Sequence, residues 1–143
     1  MFDNFSSFGI KMEGEFYPTV EHAYQAGKFI DSAPHIAEQI KKSFSAHEAQ
    51  KIAFANSDKQ VENWDEIKVK YMEKLLRLKL EQNPYVKKKL LQTKDYIICE
   101  DSPKDNFWGI GAERNGRNEL GKLWMKLRDE SKKSYDNKIK SNL

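Results

Sequence analysis

The first 18 residues show the short apolar runs and turn residues of a β-hairpin rather than the spacing of a helix. Their glycines and proline interrupt the chain every few residues. Such interruptions predict two short strands joined by a tight turn. The strands are expected near residues 8–12 and 15–17, with the turn at Glu13-Gly14.

From Thr19 onward, apolar residues recur with the 3.6-residue period of amphipathic helices. In the longest such segment, Ile67, Tyr71, Leu75 and Leu78 form an inner stripe, which other apolar residues widen. Proline, serine and asparagine residues supply the start and stop signals. Helices are expected over 19–31, from Pro34 to about Lys42, after the capping box of Ser45 and Glu48, from Trp64 to about Gln82, from Tyr85 to Gln92, and over about 119–130.

The rest of the chain is less regular. Residues 96–99 (Tyr-Ile-Ile-Cys) are rich in β-formers and predict a buried strand. Residues 100–118 are loop-like, and the polar residues 131–143 predict a frayed or disordered tail. The pattern as a whole predicts an α+β, mostly helical fold with a small β-sheet. We expect a single compact domain over residues 1–130.

Composition narrows the possible functions. The 143 residues suffice for one hydrophobic core, and a net charge of +3 tolerates an anionic ligand without requiring one. A single cysteine, Cys99, excludes an internal disulfide, and no apolar run reaches the length of a membrane span. The N-terminus lacks the features of a signal peptide, so a cytoplasmic location is expected. Because the three histidines are scattered, no metal or other cofactor is predicted.

The segment that follows Pro18 places chemically varied side chains on one helix face. Glu21, Tyr24, Gln25 and Lys28 stand at i, i+3, i+4 and i+7. Thr19 is placed to cap the helix, and the helix dipole favours an ionised Glu21 in the first turn. Such a face is either a solvated surface or the wall of a ligand site, and the spacing permits both.

A second informative segment follows residue 99. Glu100 and Asp101 stand where the predicted strand ends, a common place for functional groups. Trp108 lies between an acidic run and two glycines. It is either a lid or platform for a flat ring, or a plug at the edge of the core. Trp64, at the start of the long helix, is by itself a large hydrophobic anchor.

The third segment is residues 115–122. Asn118 is a natural N-cap, and the neighbouring glycines leave backbone amides free to meet an anion. Arg117 and Lys122 add positive charge suited to phosphate, whereas Gly121 alternatively serves close helix packing. No catalytic triad, metal motif or dinucleotide fingerprint is present. Carboxylates, one amine, tryptophans and this helix start suit cleavage of a glycosidic bond to a flat base.

These residues resemble the YbiA-like, or NADAR, superfamily. The resemblance rests on four motifs that occur in order over about residues 2–128. They are residues 14–29 (GEFYPTVEHAYQAGKF), Asn63-Trp64 with Met72 and Lys79, Glu100 with residues 108–111 (WGIG), and residues 116–128 (GRNELGKLWMKLR).

The resemblance implies a compact, largely helical fold and N-glycosidase chemistry without a metal. Some members hydrolyse riboflavin-pathway intermediates, in which ribose phosphate is joined to a pyrimidine amine; others remove ADP-ribose from modified guanine in nucleic acid. The resemblance also implies a role for three residues. Glu21 is the leading catalytic carboxylate, Lys28 is a nucleophile that forms a Schiff base, and Glu100 orients ribose or water. The substrate-binding residues that it implies are Asn4, Tyr24, Gln25, Trp64, Trp108, Gly109, Asn118 and Gly121.

Two departures from the family pattern leave the substrate open. Residues 2–6 read Phe-Asp-Asn-Phe-Ser where the family often has Phe-Ser-Asn-Phe-Tyr, and Ile110 stands where some riboflavin-intermediate members carry Asp. The substrate is either a small ribosylated base or ADP-ribosylated nucleic acid. The alternative function is a non-catalytic module that binds ADP-ribose or NAD-like ligands. No membrane and no obligate protein partner is expected.

Overall fold

The chain begins with an antiparallel hairpin of strands β1 (Ile10–Met12) and β2 (Glu15–Tyr17). Ile10 pairs with Tyr17, and Met12 pairs with Glu15. The two turn residues, Glu13 and Gly14, have φ angles of 53° and 82°. Two successive positive φ angles are typical of the type I′ turn, whose twist matches that of the flanking strands. The predicted hairpin and its turn are confirmed.

The computed structural model describes residues 1–142 and groups the chain into two compact units, Met1–Asn83 and Pro84–Leu143. Besides the hairpin, the first unit contains four α-helices and one turn of 3₁₀ helix, Ser57–Lys59. The α-helices are α1 (Val20–Gly27), α2 (Pro34–Lys41), α3 (Ala46–Ala55) and α4 (Trp64–Gln82).

The predicted caps of α1 and α3 are present. The Thr19 hydroxyl accepts a hydrogen bond from the His22 amide at 3.1 Å, and the Ser45 hydroxyl accepts one from the Glu48 amide at 3.1 Å. The Glu48 carboxylate reaches back to the amide of Phe44 at 3.0 Å. Each cap therefore satisfies first-turn amides that have no partner inside the helix.

Helix α1 lies at the centre of the first unit and packs against α2, α3 and α4. Its small residues Ala23 and Ala26 are fully buried, as is Phe29 just beyond its end. Gly27 leaves space for the Tyr71 ring, since a Cβ atom there would lie 2.4 Å from the ring. The small side chains of α1 thus allow neighbouring elements to approach closely.

The buried stripe of α4 is rotated from the one predicted. Met72, Leu75 and Leu76 are fully buried, but Ile67 is exposed. At 100° per residue, the observed stripe is centred near Met72 and Lys79, and Ile67 lies beyond its edge. The prediction that Ile67 faces inward is therefore wrong, and the same rotation buries a lysine.

The second unit is built from helices α5 (Pro84–Gln92) and α6 (Glu119–Ser141), which pack against each other. Leu120, Leu123, Trp124 and Leu127 are buried on α6, as predicted. The helix does not end near residue 130 but continues to Ser141, so a frayed or disordered segment over 131–141 was a wrong expectation. Leu143, at the end of that predicted tail, lies outside the described residues. The boundary between residues 130 and 131 remains a prediction.

The predicted strand over residues 96–99 is wrong. Tyr96 and Ile97 are 75% and 79% exposed, and the segment is not part of a strand. Side chains bind its carbonyl groups in place of a neighbouring strand. Arg128 donates to the Tyr96 carbonyl at 2.6 Å, and the Asn118 side-chain amide donates to the Ile98 carbonyl at 2.9 Å. Without a pairing strand, β-propensity is not sufficient to form one.

The predicted fold class is confirmed, since the described chain is mostly helical with one small sheet. Within residues 1–142, no helix has both the length and the apolar character needed to cross a membrane.

Candidate active site

The polar face of α1 is buried. Glu21 is 5% exposed and Gln25 is 2% exposed, and every residue from Val20 to Ala26 is buried. Burying a carboxylate and an amide is costly unless both find hydrogen-bond partners. The interpretation of this face as solvated surface is therefore wrong, and the face belongs to the interior of the first unit.

Glu21 is held through both its side chain and its backbone. The Gln25 side-chain amide donates to Glu21 Oε1 at 2.6 Å, and the Glu21 amide donates to the Asn4 carbonyl at 3.0 Å. Gln25 follows Glu21 by one helical turn, which brings the two side chains together. The bond from Gln25 orients the carboxylate, and the bond to Asn4 fixes the backbone that carries it.

Asn4 brings the N-terminal segment to the start of α1. Its side-chain amide nitrogen donates to the Met72 sulfur at 3.6 Å. Within the described residues, Asn4 Oδ1 and Gln25 Oε1 are buried without a hydrogen-bond partner. Buried acceptors of this kind are uncommon in folded proteins. The two unsatisfied amide oxygens therefore belong to residues that also bind Glu21, Gln25 through its side-chain nitrogen and Asn4 through its backbone carbonyl.

Lys79, a residue to which the sequence assigned no role, fixes this N-terminal segment. The side chain is fully buried, and Nζ donates to the Met1 carbonyl at 2.5 Å, the Asp3 carbonyl at 3.2 Å and Ser6 Oγ at 3.1 Å. Burial lowers the pKa of Lys79 to about 8, against the opposing charge of Asp3. The available signal was its position among the buried residues of α4.

Lys28 lies between two aromatic rings at the end of α1. Its Nζ is 5.5 Å from the centre of the Tyr24 ring and 5.4 Å from that of Phe54. Burial lowers the pKa of Lys28, and the charge of Glu21 opposes this shift. A lowered pKa increases the fraction of neutral amine, which is the nucleophilic form.

Trp64 is packed inside an aromatic cluster. Its ring meets Tyr24 edge-on at 5.2 Å and Tyr71 at 5.7 Å. The Tyr71 hydroxyl donates to the Ala23 carbonyl at 2.8 Å, and burial raises the pKa of Tyr71. Trp64 is thus the hydrophobic anchor that one interpretation of the sequence expected, and its contact supports Tyr24. A role in framing the base remains a prediction.

His22, the only histidine beside this face, has a structural position. Its Nε2 donates to the Ser43 carbonyl at 3.2 Å, so Nδ1 accepts from the Thr19 hydroxyl at 2.8 Å. Burial lowers the pKa of His22 and favours its neutral form. Both ring nitrogens are used in holding the start of α1.

The predicted residues of the second unit lie in the loop before α6, except Gly121, which lies in the first turn of that helix. Asp105 Oδ1 accepts hydrogen bonds from the amides of Phe107 at 2.9 Å and Trp108 at 2.7 Å. The half-buried Trp108 ring meets Phe107 edge-on at 4.9 Å, and the Arg117 guanidinium lies 4.8 Å from the Phe107 ring. The loop therefore holds Trp108 by its backbone and by one neighbouring ring.

Asn118 does not cap α6. Its φ of 52° is left-handed, and its side chain binds the Ile98 carbonyl and accepts from the Glu100 amide at 2.9 Å. The amides of Glu119 and Leu120 donate to the carbonyls of residues 107 and 108. The prediction that these first-turn amides are free for an anion is wrong.

Glycines allow this loop to pack closely. A Cβ atom on Gly109 would lie 2.8 Å from the Glu100 carbonyl oxygen, and one on Gly121 would lie 2.2 Å from that of Ile98. Both distances are shorter than van der Waals contact, so the packing interpretation of Gly121 has direct support. Substrate contacts by Gly109, Asn118 and Gly121 remain predictions.

The fold agrees with the comparison to known protein families. The NADAR domain matches residues 1–132, and the chain belongs to this family. The match covers nearly all of the described chain, including every predicted site residue.

Several named proteins are similar to this chain over 127 to 130 residues. N-glycosidase YbiA of Escherichia coli is 36% identical over 129 residues, which cover 90% of this chain and 79% of the relative. An N-glycosidase of Nostoc punctiforme is 35% identical over 130 residues, covering 90% and 83%. A riboflavin biosynthesis protein of Vibrio vulnificus is 36% identical over 127 residues, covering 89% of this chain and 34% of that protein.

The three-dimensional structure of this chain is also similar to that of a solved relative. The solution structure of E. coli YbiA superimposes with a TM-score of 0.81 at 36% identity, covering 90% of this chain and 76% of the other. The chain is accordingly an enzyme of the N-glycosidase class, a hydrolase of N-glycosyl bonds.

Proposed function

We propose that Glu21 and Lys28 form the catalytic pair and that the substrate is a small ribosylated aminopyrimidine. The observation that carries this proposal is the face of α1. It presents a buried residue whose carboxylate accepts from Gln25 and whose backbone amide donates to Asn4 and, two turns on, a lysine whose pKa is lowered by burial. A binding module has no need for an amine with nucleophilic character.

The chemistry begins with the neutral amine of Lys28. Its lone pair forms a bond to the anomeric carbon, while the electron pair of the C–N bond leaves with the base. Glu21 takes a proton from the amine and passes one to the departing base nitrogen. The nitrogen lone pair then breaks the bond between the anomeric carbon and the ring oxygen, which takes a proton from water, and an iminium remains on Lys28. Water adds to the iminium carbon, and departure of the amine gives the free sugar and Lys28.

The choice of substrate rests on the relatives. One similar protein is named for riboflavin biosynthesis, a pathway whose early intermediates join ribose phosphate to a pyrimidine amine. ADP-ribosylated guanine in nucleic acid is the competing substrate within the family, and ADP-ribose binding without turnover is the competing function.

One assay separates these three functions. The protein is offered a ribosylaminopyrimidine phosphate and, separately, DNA that carries ADP-ribosylated guanine, and the released base is measured. We expect release from the aminopyrimidine only. Release from the DNA alone would overturn the choice of substrate, and binding of either compound without release would overturn the catalytic assignment.

Trapping tests the role of Lys28. Borohydride added during turnover should reduce the iminium and leave a stable sugar adduct on Lys28, detectable by peptide mass spectrometry. Lys28→Met should form no adduct. Lys42→Met is the matched control, since Lys42 lies at the end of α2 and pairs with Glu38 at 3.1 Å; it should label like the wild type. Full turnover without an adduct would favour direct attack by water.

For two residues of the second unit, we propose roles that rest on the family resemblance. Glu100 is proposed to orient ribose or water, and Trp108 is proposed to contact the base. Glu100→Gln and Trp108→Leu should each lower base release while leaving the unfolding midpoint of the protein nearly unchanged. A loss of activity that follows loss of folded protein would count against both roles.

A further inference from the structure

The two aromatic rings beside Lys28 differ in their surroundings. Tyr24 is 6% exposed, and its ring packs edge-on against Trp64. Phe54 lies at nearly the same distance from the Lys28 amine but is 60% exposed. One ring is therefore committed to the core, whereas the other presents most of its surface to solvent.

The backbone beneath Phe54 is well fixed. Phe54 is the penultimate residue of α3, a helix capped by Ser45 and packed against α1 through the buried residues Ala49 and Ala53. The packed helix therefore fixes the backbone from which the Phe54 ring projects. Exposed aromatic rings on rigid elements are suited to stacking on flat ligands.

The position of the amine limits where a substrate can lie. In a productive complex, reacting atoms are about 3–3.5 Å apart, so the anomeric carbon must approach Lys28 Nζ closely. The base is bonded directly to that carbon. Since the centre of the Phe54 ring is 5.4 Å from the same Nζ, a base that lies on the Phe54 side of the anomeric carbon is within stacking reach of this ring.

We infer that Phe54 is a substrate-contacting residue that stacks on the flat base and favours substrates with a planar heterocycle. This inference rests on the proposed function, because it uses Lys28 as the nucleophile. Stacking of a base on an aromatic side chain is sequence-tolerant and depends on the π face alone. Phe54 thereby selects for a base without reading its hydrogen-bonding groups.

Substitution of the ring tests the inference. Phe54→Ala should raise KM for the ribosylaminopyrimidine phosphate about 10-fold, with kcat within about 3-fold of the wild-type value. Phe54→Tyr keeps the π face and should stay near wild type. Phe44→Ala is the matched control, because Phe44 is also exposed and lies just before α3. An unchanged KM in Phe54→Ala would overturn the inference, as would the same increase in Phe44→Ala.

A binding measurement separates stacking from a general loosening of the site. Ribose 5-phosphate, which lacks a base, should inhibit Phe54→Ala and the wild type equally. Stronger inhibition of the wild type would show that the ring serves the sugar and would overturn stacking on the base. If the wild type releases no base, binding of the aminopyrimidine compound to Phe54→Ala still decides the question: weaker binding supports stacking, and equal binding overturns it.

Discussion

Helices α1 and α6 begin with the same sequence signal but use it differently. In each, a polar residue of the capping type precedes an acidic first turn, with Thr19 before α1 and Asn118 before α6. Thr19 has an extended backbone and caps the helix with its hydroxyl. Asn118 has left-handed backbone angles and directs its side chain to residues 98 and 100.

This difference shows that local propensity alone does not determine which partners the first-turn groups of a helix bind, because tertiary contacts also contribute. At α1, the cap satisfies the helix, and the first-turn carboxylate of Glu21 is buried and bound by Gln25. At α6, loop carbonyls satisfy the first-turn amides, and Glu119 pairs with Arg117 at 3.0 Å. A first-turn acid therefore belongs to the candidate catalytic centre in one helix and to an ion pair in the other.

The largest expected effect compares these two acids. Glu21→Gln keeps the shape of the side chain but removes its charge and its ability to accept a proton. We expect kcat for base release to fall about 10³-fold, whereas Glu119→Gln should change it by less than about 3-fold. Steady-state assays on both variants check this prediction, with substrate affinity of Glu21→Gln measured by calorimetry. Comparable losses in the two variants would contradict a special role for Glu21.

A smaller effect concerns the two capping-type residues. Asn118→Ala removes two hydrogen bonds and places alanine in the left-handed region, so we expect a loss of about 3 kcal/mol in the free energy of unfolding. Thr19→Ala removes a helix cap and should cost about 1 kcal/mol.

Urea denaturation of both variants measures this difference. Asn118→Gly tolerates the left-handed angles and should recover part of the loss, so it separates backbone strain from hydrogen bonding. Equal losses in Asn118→Ala and Thr19→Ala would mean that Asn118 acts as an ordinary cap.

The smallest expected effect is the pH dependence at the start of α1. Because the pKa of His22 is lowered in the folded protein, the unfolded chain binds a proton more readily. The stability that comes from neutral His22 should be complete above about pH 6.5 and should decline as the pH falls below that value. The decline in urea midpoint between pH 7.5 and 5.5 should be larger for the wild type than for His22→Gln. Parallel declines would exclude His22 as the source.

The sequence predicted the hairpin, the first residue of each α-helix to within one position, the caps of α1 and α3 and the residues on the polar face of α1, because turn residues, caps and apolar spacing act over a few neighbouring residues. It failed at residues 96–99, where β-propensity had no partner strand to pair with. It also failed at the start of α6, where carbonyls of residues 107 and 108 took the amides expected to be free. Both failures depend on contacts between segments that local signals do not encode.

The sequence alone indicated the family through the resemblance of four motifs and the fold class through apolar spacing, and it supplied the residues that are proposed to carry chemistry. Only the tertiary structure decided that Glu21 and Gln25 are buried and bonded to each other, that Lys79 is enclosed by the N-terminal segment, and that Phe54 stands exposed beside Lys28. Burial and the exact neighbours of a side chain arise from packing between elements distant in sequence. Hence the identity of a reactive group is local information, whereas its pKa and orientation are not.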